Sequence, residues 1–119
     1  DYTAMPHAIF SSPQVAGVGM REQDLREKKM DYAVGRYEYI KSGMGLALQD
    51  NEGFAKIFAG RKTRKILGCH ILGTDASILI HEVIVAMKAG LAVDAISNAV
   101  HVHPALSEVV QRAVNNIEW

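Results

Sequence analysis

Several features that mark particular classes of protein are scarce in this sequence. It has one cysteine, Cys69, so no disulfide can form within the chain, and we expect a reducing, cytoplasmic setting. Its 13 Lys and Arg residues balance 13 Asp and Glu residues, which leaves no positive excess to attract nucleic acid or an anionic membrane. The longest apolar run, residues 78–87, contains His81 and Glu82 and is shorter than the ~18 to 20 residues that span a bilayer. We therefore expect neither nucleic acid nor a membrane among its partners.

The composition is typical of one globular unit. With 119 residues, of which 49% are hydrophobic, the chain can bury one core, and we expect residues 1–119 to form a single domain. Residues 1–3 have neither a basic region nor an apolar run, so we expect no signal peptide. The sequence has no G-x-G-x-x-G fingerprint after a strand and no cysteine pair, so we expect these residues alone to be inactive and to bind no nucleotide.

The order of hydrophobic patterns predicts an α+β fold with an antiparallel sheet. Patterns that favour strands occupy residues 7–11, 14–19, 32–39, 45–49, 54–59 and 66–72. Two hairpins are predicted, one with its turn at residues 50–53 and one with a basic turn at residues 61–65. Because the chain has no net positive charge, we interpret the basic turn as a solvated hairpin tip and not as a phosphate site.

Three helices are predicted. The charged stretch at residues 21–29 favours an exposed helix, and Asp75 and Gly90 are suitable ends for a helix over residues 76–89. That second helix is apolar on most sides, so we expect a second copy of the chain to cover part of it. The last helix has Pro104 near its first turn and one apolar face, with Glu108 on the other side near its N-terminus.

Residues 100–108, VHVHPALSE, are the most informative stretch of the sequence. A chain that turns at Pro104 can bring His103 back toward Glu108, and a carboxylate that fixes the tautomer and orientation of an imidazole makes an acid/base pair. A surface turn followed by a helix-capping acid is the alternative. His101 and His103 also have the spacing of a metal pair in a strand, but no Cys or Asp pair nearby completes a ligand set, and we expect no metal site.

Four blocks of the sequence resemble the pyridine nucleotide-disulfide oxidoreductases, the family of dihydrolipoamide dehydrogenase. Residues 103–108, HPALSE, resemble the family's closing His-Pro-x-x-Ser-Glu signature, and residues 10–19, FSSPQVAGVG, resemble its F-T-x-P-x-V-A-x-V-G block. Residues 53–57 and 66–73 resemble the two strands of its hairpin, G-F-x-K-h and h-L-G-x-H-h-h-G. The blocks stand in the family's order, and the resemblance covers nearly the whole chain.

The resemblance implies the C-terminal dimerisation domain of a larger flavoprotein, with a mostly antiparallel sheet flanked by helices and with FAD and NAD(P) bound by domains outside this chain. It implies a homodimer in which His103, oriented by Glu108, serves the dithiol or disulfide site of the partner subunit. It further implies a cis bond between His103 and Pro104, whose backbone contacts the partner's FAD. Lipoyl or small-molecule dithiols and disulfides are then the expected substrates.

Three interpretations remain open at this point. A dihydrolipoamide dehydrogenase type is the first, and an NADPH-dependent reductase of a low-molecular-weight disulfide, like mycothione reductase, is the second because Ala105 and Leu106 suit it. A purely structural dimerisation module is the third. For Cys69 we expect an inert buried thiol and for His70 a structural role. His81 and Glu82 have places open to them at the dimer seam or near the shared active site, but we expect packing or solvent contact.

Overall fold

A computed structural model describes residues 4–119, and the expectation for residues 1–3 lies outside them. Five strands form one antiparallel sheet in the order β1-β2-β5-β4-β3. The strands are β1 Pro6–Ile9, β2 Val15–Gly19, β3 Tyr32–Glu38, β4 Phe54–Gly60 and β5 Ile66–Leu72. The helices are α1 Glu22–Glu27, α2 Gly43–Ala47, α3 Ala76–Lys88, α4 Asp94–Ser97 and α5 Glu108–Asn115. The predicted fold class is confirmed.

The core lies between one face of the sheet and helices α3 and α5. Alternate strand residues are buried there, as period-2 geometry requires, and α3 packs on β2 and β5 while α5 packs on β3 and β4. At Gly35 in β3 a Cβ would stand 2.0 Å from the Ala113 carbonyl oxygen, so only glycine lets α5 approach this closely. Among residues 4–119, no helix is long and apolar enough to span a bilayer.

The prediction of a strand at residues 45–49 is wrong. Residues 43–47 form α2, because the Ser42 hydroxyl accepts a hydrogen bond from the Gly45 N–H at 3.0 Å and caps a helical turn. Leu46 and Leu48 are exposed there, whereas a strand beside β4 would have buried one of its faces. The neighbour of β4 is instead β3, paired along its full length, and the second predicted hairpin, β4 to β5, is confirmed.

The ends of α3 and α5 differ in detail from the prediction. Asp75 is the N-cap of α3 but makes no capping hydrogen bond through its side chain, and the Gln14 side chain accepts the bond from the Ser77 N–H at 3.2 Å instead. Gly90 has φ +68° and ends the helix as predicted. Pro104 lies near the start of α5, as predicted, but a turn of i to i−3 hydrogen bonds separates it from Glu108, which is the first helical residue.

Candidate functional site

The site predicted around His103 lies where the segment of residues 98–107 joins α5. The imidazole of His103 is 73% exposed, and its Nδ1 lies 2.9 and 3.1 Å from the two carboxylate oxygens of Glu108. The His103–Pro104 peptide bond is cis, as the resemblance implied. The structure therefore brings together the two side chains that the sequence allowed to meet.

Glu108 is held more firmly than its partner. Its side chain is only 13% exposed, and its Oε2 also accepts a hydrogen bond from the Ala105 N–H at 3.1 Å. These bonds, chiefly the one from His103 and then the one from Ala105, hold the pKa of the Glu108 carboxyl below its ordinary value. At neutral pH the carboxylate is consequently ionised and accepts hydrogen bonds only.

The charge on Glu108 decides which nitrogen of His103 is available for chemistry. A carboxylate cannot donate, so the Nδ1 that faces it carries the proton, and the lone pair of a neutral ring is on Nε2. Among residues 4–119, Nε2 of His103 has no hydrogen-bond partner. The arrangement therefore presents one accessible nitrogen that can accept a proton and return it.

The surface beside His103 has two distinct parts. On one side Tyr37, Lys41 and Arg112 line a cleft of about 70 Å³ that includes the two dyad side chains. On the other side lies the segment of residues 100–104, in which every residue but His101 is exposed, with Val100 fully accessible and Val102 75% accessible. Within the described residues, its backbone takes part in no hydrogen bond. Exposed apolar side chains and backbone groups without partners in the described residues thus lie side by side on this surface.

Sequence reasoning missed a second pair of His and Glu next to the first. His101 Nε2 lies 2.6 Å from the Glu82 carboxylate of α3, and His101 Nδ1 lies 3.0 Å from the Ala99 carbonyl oxygen. The His101 side chain is only 7% exposed. Of the places that the sequence allowed for Glu82, the structure gives it one close to His103, because its carboxylate anchors the segment that leads to that residue. The residues are 19 positions apart, and no local pattern links them.

The metal pair considered for His101 and His103 does not assemble, because the two rings bind different carboxylates. Among residues 4–119, no three side chains of His, Cys, Asp or Glu cluster as metal ligands. His81 lies exposed on α3 with its Nδ1 3.2 Å from the Ile78 carbonyl oxygen. It takes no part in either pair.

The remaining sequence predictions concern residues away from this site. Cys69 is fully buried, and burial raises the pKa of its thiol to about 12, so it is an inert core residue as predicted. His70 lies on β5 with its Nε2 3.0 Å from the Met20 carbonyl oxygen. The basic turn at residues 61–65 is a largely exposed hairpin tip, in which Arg64 binds Asp94 through two bonds of 2.9 Å.

The chain is similar to known enzymes in sequence. The family described as pyridine nucleotide-disulphide oxidoreductase, dimerisation domain, matches residues 5–114. Dihydrolipoyl dehydrogenase of Corynebacterium glutamicum is 39% identical in an alignment of 119 positions that covers 98% of this chain and 25% of that protein. The mitochondrial dihydrolipoyl dehydrogenase of Dictyostelium discoideum is 37% identical over 95% of this chain and 23% of its own length.

Solved structures show the same fold. LpdA from Mycobacterium tuberculosis superposes with a TM-score of 0.91 at 22% identity, over 97% of this chain and 25% of that one. The HOCl-induced flavoprotein disulfide reductase RclA from Escherichia coli, in its Cu(II) complex, superposes with a TM-score of 0.90 at 26% identity, over 95% of this chain and 26% of that one. The chain thus spans about a quarter of the length of the relatives it matches. It belongs to the dimerisation-domain family of the pyridine nucleotide-disulphide oxidoreductases.

Proposed function

We propose that residues 1–119 are the C-terminal dimerisation domain of a larger FAD-dependent NAD(P)H disulfide oxidoreductase of the dihydrolipoyl dehydrogenase type. In this proposal His103 and Glu108 serve as an acid/base pair for thiols held by the partner subunit. Support comes from the relatives, two of which are named dihydrolipoyl dehydrogenase at 37% and 39% identity. The observation that carries the proposal is an exposed imidazole whose Nδ1 is fixed by an ionised carboxylate.

The chemistry follows from the reactivity of thiols. The thiolate is the species that attacks a disulfide or gives up electrons, so a base must take a proton from a dithiol and an acid must return one to a departing thiolate. Nε2 of His103 does both, while Glu108 keeps the ring in one tautomer and stabilises it when it is protonated. General acid/base catalysis of this kind contributes about 10²- to 10⁴-fold, or roughly 3 to 5 kcal/mol of barrier.

The cofactor that the family implies fits one feature of this chain. FAD, when bound, accepts or supplies the two electrons of the disulfide reaction. His103 and Pro104 belong to the segment of residues 100–104, whose backbone makes no hydrogen bond among the described residues, so its backbone polar groups are free to contact a flavin held by the partner. We assign the NAD(P) site to a part of the enzyme outside these residues. We also propose a cytoplasmic location, because the one cysteine of the chain, Cys69, is a free thiol and proteins of reducing compartments keep their thiols free.

The partner in the proposal is a second copy of the chain. Ile78 and Val85 are each 66% exposed on one side of α3, and Ile78 lines a groove together with Val100 and Val102. A large exposed apolar patch of this kind marks an interface, and the family is named for dimerisation. A second copy covering this patch would bring its own FAD site to the segment that holds His103.

The role of His103 is tested by His103→Ala in the full-length enzyme. We expect dithiol-dependent turnover to fall by about 10²- to 10⁴-fold, because no other described group replaces the lost proton acceptor. The control is Lys62→Ala, which shortens an exposed side chain at the tip of the 61–65 turn, away from His103 and from the α3 patch, and leaves turnover unchanged. If His103→Ala keeps its turnover, the domain is a structural module and the catalytic proposal is wrong.

The dimer surface is tested by Ile78→Asp in the same enzyme, with oligomeric state measured by analytical ultracentrifugation. A buried, unpaired carboxylate in the interface weakens association by at least about tenfold. Leu48→Asp is the matched control, because Leu48 is an exposed leucine outside the patch at 51% accessibility. A dimer that is equally stable in both variants would place the interface elsewhere.

A further inference from the structure

Two histidines far apart in the sequence meet on the face of the sheet opposite α3 and α5. His7 on β1 pairs with Gly17 on β2, and Gly17 pairs with His70 on β5, so the three residues form one row across three strands. Directly paired residues in antiparallel strands point to the same face. The two imidazoles therefore flank Gly17, with ring centroids 6.3 Å apart.

Gly17 leaves the space between the two rings open. A Cβ built at this position would stand 2.6 Å from Nδ1 of His70 and 2.9 Å from Nε2 of His7. Any other residue would put a side chain between the rings. Two ring nitrogens thus face one small space above the glycine, and rotation of the exposed His7 side chain can bring them closer.

The hydrogen bond of His70 orients its ring in the way that is common for histidine ligands of metals. Its Nε2 lies 3.0 Å from the Met20 carbonyl oxygen, which can only accept, so Nε2 carries the proton and Nδ1 has the free lone pair. Histidine ligands commonly donate the other ring N–H to a carbonyl or carboxylate in this way, which fixes the ring and its tautomer. The nitrogen that faces the space above Gly17 is the one available for coordination.

The charge near the two rings is balanced. Lys56 on β4 is the strand partner of His70, and its Nζ lies 2.7 Å from the Glu22 carboxylate. An unpaired ammonium group at this position would repel a cation, whereas the ion pair offsets that repulsion. The surroundings therefore do not exclude a divalent ion.

We propose that His7 and His70 form a binding site for a divalent first-row transition-metal ion, of which Ni²⁺, Cu²⁺ and Zn²⁺ suit imidazole nitrogen best. Metal–nitrogen bonds of about 2.0 to 2.1 Å require the rings to close slightly on the ion, and His7 is free to move because it is exposed on the edge strand. Water completes the coordination, since the site has two protein ligands. The inference does not depend on the proposed catalytic role of His103.

The test is titration of the chain with Ni²⁺ by calorimetry at neutral pH, together with electron paramagnetic resonance of bound Cu²⁺. We expect one ion per chain and a Cu²⁺ spectrum with coupling to two ring nitrogens. His7→Ala should weaken Ni²⁺ binding by about tenfold to a hundredfold, and Gly17→Ala should do the same because its methyl group fills the space between the rings. His81→Ala, which removes an imidazole elsewhere, should leave the affinity unchanged.

Two results would overturn the proposal. One is Ni²⁺ affinity in His7→Ala equal to that of the unmodified chain. The other is a result in which His103→Ala loses Ni²⁺ binding while His7→Ala retains it, which would assign the ion to the segment of residues 100–104. His7 is the better residue to replace than His70, because His7 is exposed and its removal leaves the His70 bond to Met20 intact. Circular dichroism of each variant verifies that the fold is retained.

Discussion

Two pairs of histidine and glutamate stand side by side in this domain and differ in access to solvent. In one pair His103 is 73% exposed and Glu108 13% exposed, whereas in the other His101 is 7% exposed and Glu82 33% exposed. Both ring nitrogens of His101 face acceptor oxygens, while His103 has an acceptor at only one. The same two residue types thus hold a buried imidazole, His101, in one pair and leave an imidazole exposed to solvent, His103, in the other.

The difference shows how a short irregular segment can hold a reactive group in place. His101 binds the segment to α3 through Glu82, and two residues later His103 binds it to α5 through Glu108. The amide of Gln111 adds bonds to the carbonyl oxygens of Ser97 and Ala99 at 3.1 and 2.8 Å. We infer that side chains fix the backbone here, since neither a strand nor a helix does so between α4 and α5.

The comparison is sharpened first by His101→Ala, for which we expect the larger loss of stability. Removing a buried ring that binds a carboxylate costs about 2 kcal/mol, because the hydrogen bond to Glu82 is lost and a cavity remains. The free energy of unfolding, measured by urea denaturation of the chain, should fall by that amount. His103→Ala should change it by less, since its ring is largely solvated already.

Turnover of the full-length enzyme provides the complementary measurement for the same variant. His101→Ala should retain more activity than His103→Ala, because the proton acceptor is still present although less firmly positioned. If His101→Ala has the turnover of His103→Ala and the stability of the unmodified chain, His101 does not serve mainly to anchor the segment, and the distinction between the two pairs is wrong. Lys62→Ala again serves as the control for an exposed side chain away from both pairs.

A smaller effect is expected from Glu108→Gln. The amide keeps the size of the side chain but can offer its NH₂ group to Nδ1 and no longer fixes one tautomer, so turnover should fall by about tenfold, or roughly 1.4 kcal/mol of barrier. Steady-state kinetics of the full-length enzyme measures this, with Glu52→Gln, an exposed side chain in the 50–53 turn, as a matched control. Unchanged kcat would show that His103 needs no carboxylate.

The same variant predicts a pH dependence of stability. The pKa of Glu108 is lower in the folded chain than in the unfolded one, so its ionised form favours folding, and this contribution is complete above the ordinary glutamate pKa of about 4.3. It is lost as the pH falls through the lowered value. The unmodified chain should therefore be more stable than Glu108→Gln at neutral pH, and the two should converge in acid. A difference that grows on acidification would contradict this assignment.

Local patterns predicted the regular parts of the fold well. The alternation at residues 32–39, the basic turn between β4 and β5, and Gly90 after α3 each depend on neighbours within a few residues. The meeting of His103 with Glu108 was also predictable, because only five positions separate them and Pro104 turns the chain between.

The predictions that were wrong or missing depended on distant partners. Residues 45–49 have the pattern of a strand. In the structure β4 pairs with β3, and the Ser42 hydroxyl caps a short helix that includes residues 45–47. The contacts of Glu82 with His101 and of His7 with His70 across Gly17 exist only once α3 and the strand order are fixed. No pattern with a period of two or 3.6 residues encodes such contacts.

The burial of Cys69 has a consequence for any enzyme that handles disulfides. Thiol reagents and oxidants attack accessible thiolates, and a sulfur enclosed by the core with a pKa of about 12 supplies almost none at neutral pH. In the proposed enzyme, this domain would therefore form no mixed disulfide through Cys69. Alkylation of the native enzyme would consequently report on cysteines in other parts of the molecule, with no background from residues 4–119.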